Sequence, residues 1–306
     1  MRYNKYSSFL KNRYGEKVYK LPLKLDVSCP NRDGTLGVGG CAYCGTNGAG
    51  HETLSEKLTV AEQLATNREY IGKRYGAKKF LAYFQEYTST HLAVSEFYGH
   101  LVQCQAIDGV VGVVISTRPD CLAEDYLQLL ADYRMLTGLD IYIEMGLQTA
   151  NWRTLAAVNR GHGLAEFIDA VMRCHKHNFE VCAHVIPNLP GDTIADTIET
   201  ARILSALQVE QVKLHALYIA RGSAFEKQYL EGQLVLGSKA DYIECVIAFL
   251  QNLNPDIVVQ RLIGRAPEGD SLFANWNESW WKIHEEIERT MRERGAQQGD
   301  VATYCR

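Results

Sequence analysis

What is missing from these 306 residues narrows the field first. No apolar run approaches the roughly 18 residues that a membrane span requires, and the N-terminus lacks the apolar core of a secretory signal. Neither charge is in large excess: 32 Lys and Arg face 36 Asp and Glu, a net charge of -4, which argues against a wholesale nucleic-acid binder. The nine cysteines are an odd number spread over a long chain, which argues against a disulfide framework and for a reducing compartment. A cytoplasmic protein without membrane association is therefore expected.

Three of the cysteines are not scattered. Cys29, Cys41 and Cys44 share the stretch V-S-C-P-N-R-D-G-T-L-G-V-G-G-C-A-Y-C-G-T-N-G-A-G from Val27 to Gly50. Thiolates are the ligands that soft metals and iron-sulfur clusters select, and the glycines let backbone fold closely around a bulky inorganic object. A 4Fe-4S cluster held by four cysteines carries electrons, whereas three protein ligands leave one iron open to bind and activate another molecule. Two other readings compete on the residues alone: a structural zinc completed by His51 in a Cys₃His tetrahedron, and three unligated thiols packed as small hydrophobes. Cys104, Cys121, Cys174, Cys182, Cys245 and Cys305 stand singly and read as buried small residues.

Around this loop, strand and helix patterns alternate. Tyr19 to Ser28 reads as a strand with Leu21, Leu23, Leu25 and Val27 on one face, and strand candidates recur at Lys79 to Tyr87, Val110 to Ser116, Asp140 to Gly146, Glu180 to Pro187 and Gln211 to Ile219. Thr59 and Glu62 form a capping box ahead of Val60, Leu64, Ile71 and Tyr75 at helical spacing. Further helical patterns lie near Ala93 to Gln103, Ala123 to Leu136, Leu164 to His177, Thr193 to Leu207 and Ser238 to Leu253. Six strands alternating with six helices predict an α/β fold with parallel strands. No Gly-x-Gly-x-x-Gly or phosphate-loop motif follows any strand, so a partial (βα)6 TIM-like barrel over residues 19–260 is preferred to a nucleotide-binding sheet.

Residues 1–18 form a basic arm with interleaved aromatics, Arg2, Lys5, Lys11, Arg13 and Lys17 among Tyr3, Tyr6, Phe9 and Tyr14. Such a segment suits nucleic acid, and it equally suits packing of the tyrosines on the barrel underside. Residues 261–306 form a C-terminal extension after a last short strand at Ile257 to Gln260, and Asn277 to Arg294 read as an amphipathic helix that closes the open side of the barrel.

In barrels the chemistry sits at the C-terminal strand ends, where the cysteine loop falls. The other strand ends are polar too: Gln85, Glu86 and Tyr87; Ser116, Thr117 and Arg118; Glu144 with Gln148; His184; Lys213, His215 and Tyr218. Their convergence marks a candidate site, with His184, Lys213 and His215 as candidates for handling protons.

These residues resemble a known family. The cysteine loop after the first strand, with Tyr43 just before the last cysteine, resembles the radical S-adenosylmethionine superfamily. The usual Cys-x₃-Cys-x₂-Cys spacing is lengthened to eleven residues between Cys29 and Cys41, as in the branch related to the Elongator catalytic subunit. Within that branch the chain resembles the YhcC/YtqA-type group through C-P-N-R-D-G-T at Cys29 to Thr35, Y-F-Q-E-Y-T at Tyr83 to Thr88, S-T-R-P-D at Ser116 to Asp120, G-L-Q-T at Gly146 to Thr149 and N-R-G-H at Asn159 to His162.

The resemblance implies a 4Fe-4S cluster on Cys29, Cys41 and Cys44 whose open iron is chelated by S-adenosylmethionine, and reductive cleavage to a 5'-deoxyadenosyl radical that abstracts hydrogen from substrate. It implies cofactor contacts from Tyr43, from Gln85 and Glu86 in place of a glycine-glycine-glutamate motif, from Glu144, and from Arg118 or Arg160 to the methionine carboxylate. It implies a flavodoxin- or ferredoxin-like electron donor. It also implies a transfer RNA substrate whose wobble uridine side chain loses a carboxymethyl portion to leave an aminomethyl group. A radical enzyme acting on a small metabolite and a non-enzymatic zinc protein are the alternatives.

Overall fold

Seven short apolar runs become the parallel strands of one curled sheet in the computed structural model, which describes residues 2–45, 53–267 and 269–303. The chain enters through helix α1 (Tyr6–Tyr14) and strand β1 (Val18–Leu23), then alternates α2 (Val60–Tyr75), β2 (Lys79–Phe84), α3 (Val94–Cys104), β3 (Val110–Thr117), α4 (Glu124–Thr137) and β4 (Asp140–Gln148). Short α5 (Trp152–Ala157) precedes α6 (Leu164–Lys176), β5 (Glu180–Val185), α7 (Ile194–Ala206) and β6 (Gln211–Leu214). A small ribbon strand β7 (Ile219–Ala220) and α8 (Ala224–Leu230) interrupt the pattern before α9 (Lys239–Asn252) and β8 (Val258–Arg261), and the ribbon partner β9 (Ser271–Phe273) and α10 (Trp280–Arg294) follow.

The sheet runs β1-β2-β3-β4-β5-β6-β8 with every neighbouring pair parallel, a curled half-barrel of the kind the alternation predicts. Alternation within each strand divides the packing. On β2, Phe80, Ala82 and Phe84 face the helices with Leu64, Phe97 and Leu101, while Leu81 and Tyr83 face inward with Val114 and Tyr142. Full burial of one such Leu or Phe contributes about 1.5–3 kcal/mol. The Thr59 box caps α2 as expected, with Glu62 N–H donating to Thr59 Oγ1 at 3.2 Å and Thr59 N–H to Glu62 at 2.8 Å. The first strand stops at Leu23 rather than Ser28, because Lys24 N–H donates to the buried Gln63 side chain at 2.9 Å and so leaves the ladder.

Of the two readings of the N-terminal arm, the structure supports packing. Tyr6, Phe9, Leu10 and Tyr14 join Leu81, Tyr83, Val114 and Tyr142, so α1 closes the N-terminal end of the barrel. Two of its cations are engaged: Arg13 grips Asp140 at 2.9 and 3.0 Å and pairs with Glu180, and Lys5 pairs with Glu288 at 2.5 Å. The expected C-terminal helix is present as α10, which buries Ile283, Ile287 and Met291 and packs beside α9.

Leu10 is 4% exposed, so Leu10→Ala is expected to cost about 2–4 kcal/mol in urea unfolding. An arm detached from the barrel would show no change.

Candidate active site

The cysteine loop crosses the C-terminal ends of the strands, and its own polar groups shape it. Arg32 N–H closes a turn on Cys29 O at 2.7 Å, and the Arg32 guanidinium returns to Cys44 O and Gly45 O at 2.7 and 2.5 Å. Gly40 has φ of 74°, and a Cβ there would lie 2.8 Å from Arg32, so this position requires glycine twice over. The turn after α5 holds the loop from the other side. Asn159 donates to Gly40 O at 2.8 Å, and Asn31 donates to Asn159 O at 2.6 Å while lying 3.8 Å from Cys41 Sγ. Arg160, buried behind Cys41, donates from Nη2 to Gly146 O at 2.8 Å and from Nη1 to Cys41 Sγ at 3.5 Å. Burial pushes the Cys41 thiol up, and Arg160 and Tyr43 beside it bring it below its ordinary value.

A cavity of about 780 Å³ opens beneath the loop. It brings together Cys29, Cys41, Cys44 and Tyr43 with Gln85, Arg118, Glu144, Arg160, His184, Lys213 and His215. Glu86 lies outside it. Gln85 continues the inward parity of Tyr83, so Glu86 turns outward, where Lys24 approaches its carboxylate at 3.3 Å and Thr53 donates at 3.1 Å. Arg118 reaches the cavity wall with its guanidinium already committed, to Asp120 at 2.9 and 2.7 Å and to Arg160 O at 3.0 Å.

The cavity floor is organised on Glu144. Its Oε1 accepts from Lys20 and from Gln260 at 2.9 Å; its Oε2 accepts from Tyr83 at 2.8 Å and Lys213 at 3.0 Å and contacts His184 Nε2 at 2.9 Å. Lys213 also donates to Tyr83 Oη at 2.8 Å. Both Glu144 oxygens are therefore spent on the barrel's own side chains. Burial alone would raise its carboxyl, and Lys20, Lys213 and His184 overcome that and hold it well below the ordinary value. His184 is brought down to about 4 by burial and Lys213, and His215 is pushed well below its ordinary value by burial and Arg261.

Several functional residues escaped the sequence reading. Lys20, Tyr83 and Gln260 complete the Glu144 network; Gln148, already among the polar strand ends read from the sequence, lines the cavity from a left-handed backbone position at φ of 75°. The signal for Lys20 was parity: it lies opposite Leu21 and Leu23, on the same face as Pro22.

The loop cysteines fit a cluster better than a single zinc ion. Among the described residues, only Glu144, Cys182 and His184 bring three ligand atoms within 4.8 Å of one another, so the three loop thiols stand wider than tetrahedral zinc requires. His51, the fourth ligand of the zinc reading, lies outside the described residues, as does Cys305. The Glu144, Cys182 and His184 group is itself no cation site, because two ammonium groups already bind its carboxylate.

Residues 33–204 match the family model described as the radical SAM superfamily, and residues 209–293 match its C-terminal domain. The chain belongs to the radical SAM superfamily. It is 33% identical to YtqA of Bacillus subtilis over 97% of this chain and 92% of that protein. A more distant relative is tRNA-2-methylthio-N(6)-dimethylallyladenosine synthase of a Sulfurihydrogenibium species, 25% identical over 38% of this chain and 27% of that one. The solved structure of the archaeal Methanocaldococcus infernus Elp3 shares the fold with a TM-score of 0.69 at 15% identity, covering 92% of this chain and 64% of that one. The protein is thus a radical SAM enzyme that uses a 4Fe-4S cluster and S-adenosylmethionine.

The floor makes stability depend on pH. The unfolded chain protonates His184 near its ordinary 6.5 and the folded chain only near 4, so stability falls as pH drops through that window. Glu144 adds to the loss in the same direction; Lys213, Arg261 and His215 are the other groups facing His184. The urea midpoint is expected to drop by the equivalent of about 1–3 kcal/mol between about pH 6.5 and about pH 4, and His184→Asn should flatten part of that slope.

Proposed function

We propose that this enzyme modifies transfer RNA at the wobble uridine, taking hydrogen from the carbon beside a side-chain nitrogen. With S-adenosylmethionine as net two-electron oxidant, loss of one further electron gives an iminium that water hydrolyses, releasing the carboxymethyl portion as glyoxylate and leaving an aminomethyl group. Cys29, Cys41 and Cys44 are the ligands of the cluster in this reading. When bound, the cluster and S-adenosylmethionine supply a carbon radical able to abstract hydrogen. The rest is the work of this chain's residues. Arg160 holds Cys41 by its thiol and Gly146 by its carbonyl, fixing the loop against β4. Gln85 and Gln148 offer uncharged polar contacts to the cofactor from the cavity wall, a role that Glu144 and Arg118, both saturated by protein partners, leave to them. A flavodoxin- or ferredoxin-like protein delivers the electron.

The observation that carries the substrate reading is the placement of charge. The chain has a net charge of -4, yet the described residues lining the cavity include seven cations, Lys20, Arg32, Arg118, Arg160, Lys213, Arg261 and Arg265, against the carboxylates of Glu144 and Asp270. A cavity that concentrates positive charge in an acidic protein suits an anionic substrate. The resemblance to the Elongator branch and the relative named for a tRNA modification support the same reading.

Reconstitution with iron and sulfide under anaerobic conditions is expected to load about four irons per chain. Dithionite and S-adenosylmethionine should then yield 5'-deoxyadenosine, with none from Cys41→Ala; a colourless zinc-bound protein would overturn the cluster assignment. For the substrate, mass spectrometry of transfer RNA from a strain lacking the gene should show the carboxymethylaminomethyl nucleoside accumulating. An unchanged nucleoside profile would overturn the RNA assignment and leave a metabolite as substrate.

A further inference from the structure

The floor of the cavity holds more positive charge than its own carboxylate balances. Lys20 from β1 and Lys213 from β6 share the single carboxylate of Glu144. His184 and His215, which complete the walls there, are uncharged near neutral pH. These two lysines therefore leave one positive charge in excess over Glu144, and the cavity wall adds both Arg261, with Nη2 2.7 Å from the His215 ring, and the carboxylate of Asp270. Of the three protons on the Lys213 ammonium, Glu144 and Tyr83 account for two. Buried charge that the protein leaves unbalanced is unfavourable until a counter-charge arrives.

The shape of the space restricts what that counter-charge can belong to. Tyr6 of α1 lines the cavity and packs with Leu81, Tyr83 and Tyr142, so the barrel is closed at this end. A phosphodiester continues in two directions and would need a passage. A blind end admits only a terminal group. One excess charge also matches a group of charge -1 better than a phosphate monoester of about -2.

We propose that the Lys20, Lys213 and Tyr83 floor is the binding site for a terminal carboxylate of the substrate. Anchored there, the substrate extends from the closed end toward the cysteine loop at the opposite end of the same cavity. The proposal rests on the cavity being the substrate site of the radical enzyme, and it holds whether the remainder of the substrate is RNA or a small metabolite.

Trifluoroacetate, followed by fluorine NMR, is the probe, titrated into the cluster-loaded full chain under anaerobic conditions. The wild type is expected to broaden the signal saturably, and Lys213→Gln should weaken binding by at least about tenfold, with Lys20→Gln as the second variant and Lys213→Arg retaining affinity. Glu144→Gln removes the balancing carboxylate and should tighten binding, a direction that mere loss of structure would not give. Melting temperature and iron content show that each variant is folded. Equal affinity across wild type, Lys213→Gln and Glu144→Gln overturns the proposal, as does tighter binding of inorganic phosphate than of trifluoroacetate. The 5'-deoxyadenosine assay on the same wild-type sample reports separately on the radical chemistry, so failure of either reading is visible without the other.

Discussion

One buried carboxylate ties this barrel together. Glu144 on β4 accepts from side chains of β1, β2, β6 and β8 and meets His184 of β5, and Ser116 of β3 reaches the same group through the Tyr83 hydroxyl at 3.2 Å. All seven strands of the sheet thus meet at a single polar node. Backbone ladders hold each strand only to its neighbours, whereas this node fixes how tightly the sheet curls. Such a network gives little net stability over a well-packed apolar core and leaves a heavy penalty if only part of it is removed. What it provides is a polar interior that an aliphatic core would have filled.

The second tier is the cysteine loop, and it depends on a different set of contacts. Asn31 lies far in sequence from the adjacent pair Asn159 and Arg160, yet together they bind the loop to the turn after α5 and to the end of β4. Glycine at position 40 is what allows Arg32 to fold under the loop. The two tiers face each other across one cavity, so the upper presents thiols and the lower presents ammonium groups.

Much of this was legible in residue order and parity. The alternation of strand and helix, the Thr59 cap, the position of the cysteine loop and the polar strand ends follow from periods of two and 3.6 residues. Helix α1 was not legible, because the Lys5 cap position makes no side-chain bond and the helix is stabilised by the barrel rather than by its own pattern. The ribbon of β7 and β9 is too short to carry a pattern. Glu86 and Arg118 illustrate a subtler limit: a strand end reads as polar as a whole, but only alternate residues face inward, and Arg118 has its partner two residues later in the same motif. Glu144 was placed in the cavity correctly, while its saturation by Lys20, Tyr83 and Gln260 depends on residues more than 60 positions away.

The closure of the barrel by its own first residues governs the order in which the molecule can be completed. Tyr3 donates to Glu288, 285 residues later, Lys5 bridges to Val259, and Asn4 N–H donates to Gln298. Contacts of such separation form late, after the intervening loops have been closed. The Tyr3, Asn4 and Lys5 contacts require β8 and α10, whereas α1 also docks on β2, β3 and β4 through Leu81, Val114 and Tyr142. The long-range clasp of residues 3–5 is therefore the last part of this closure to form, after α1 already has a strand surface to pack on.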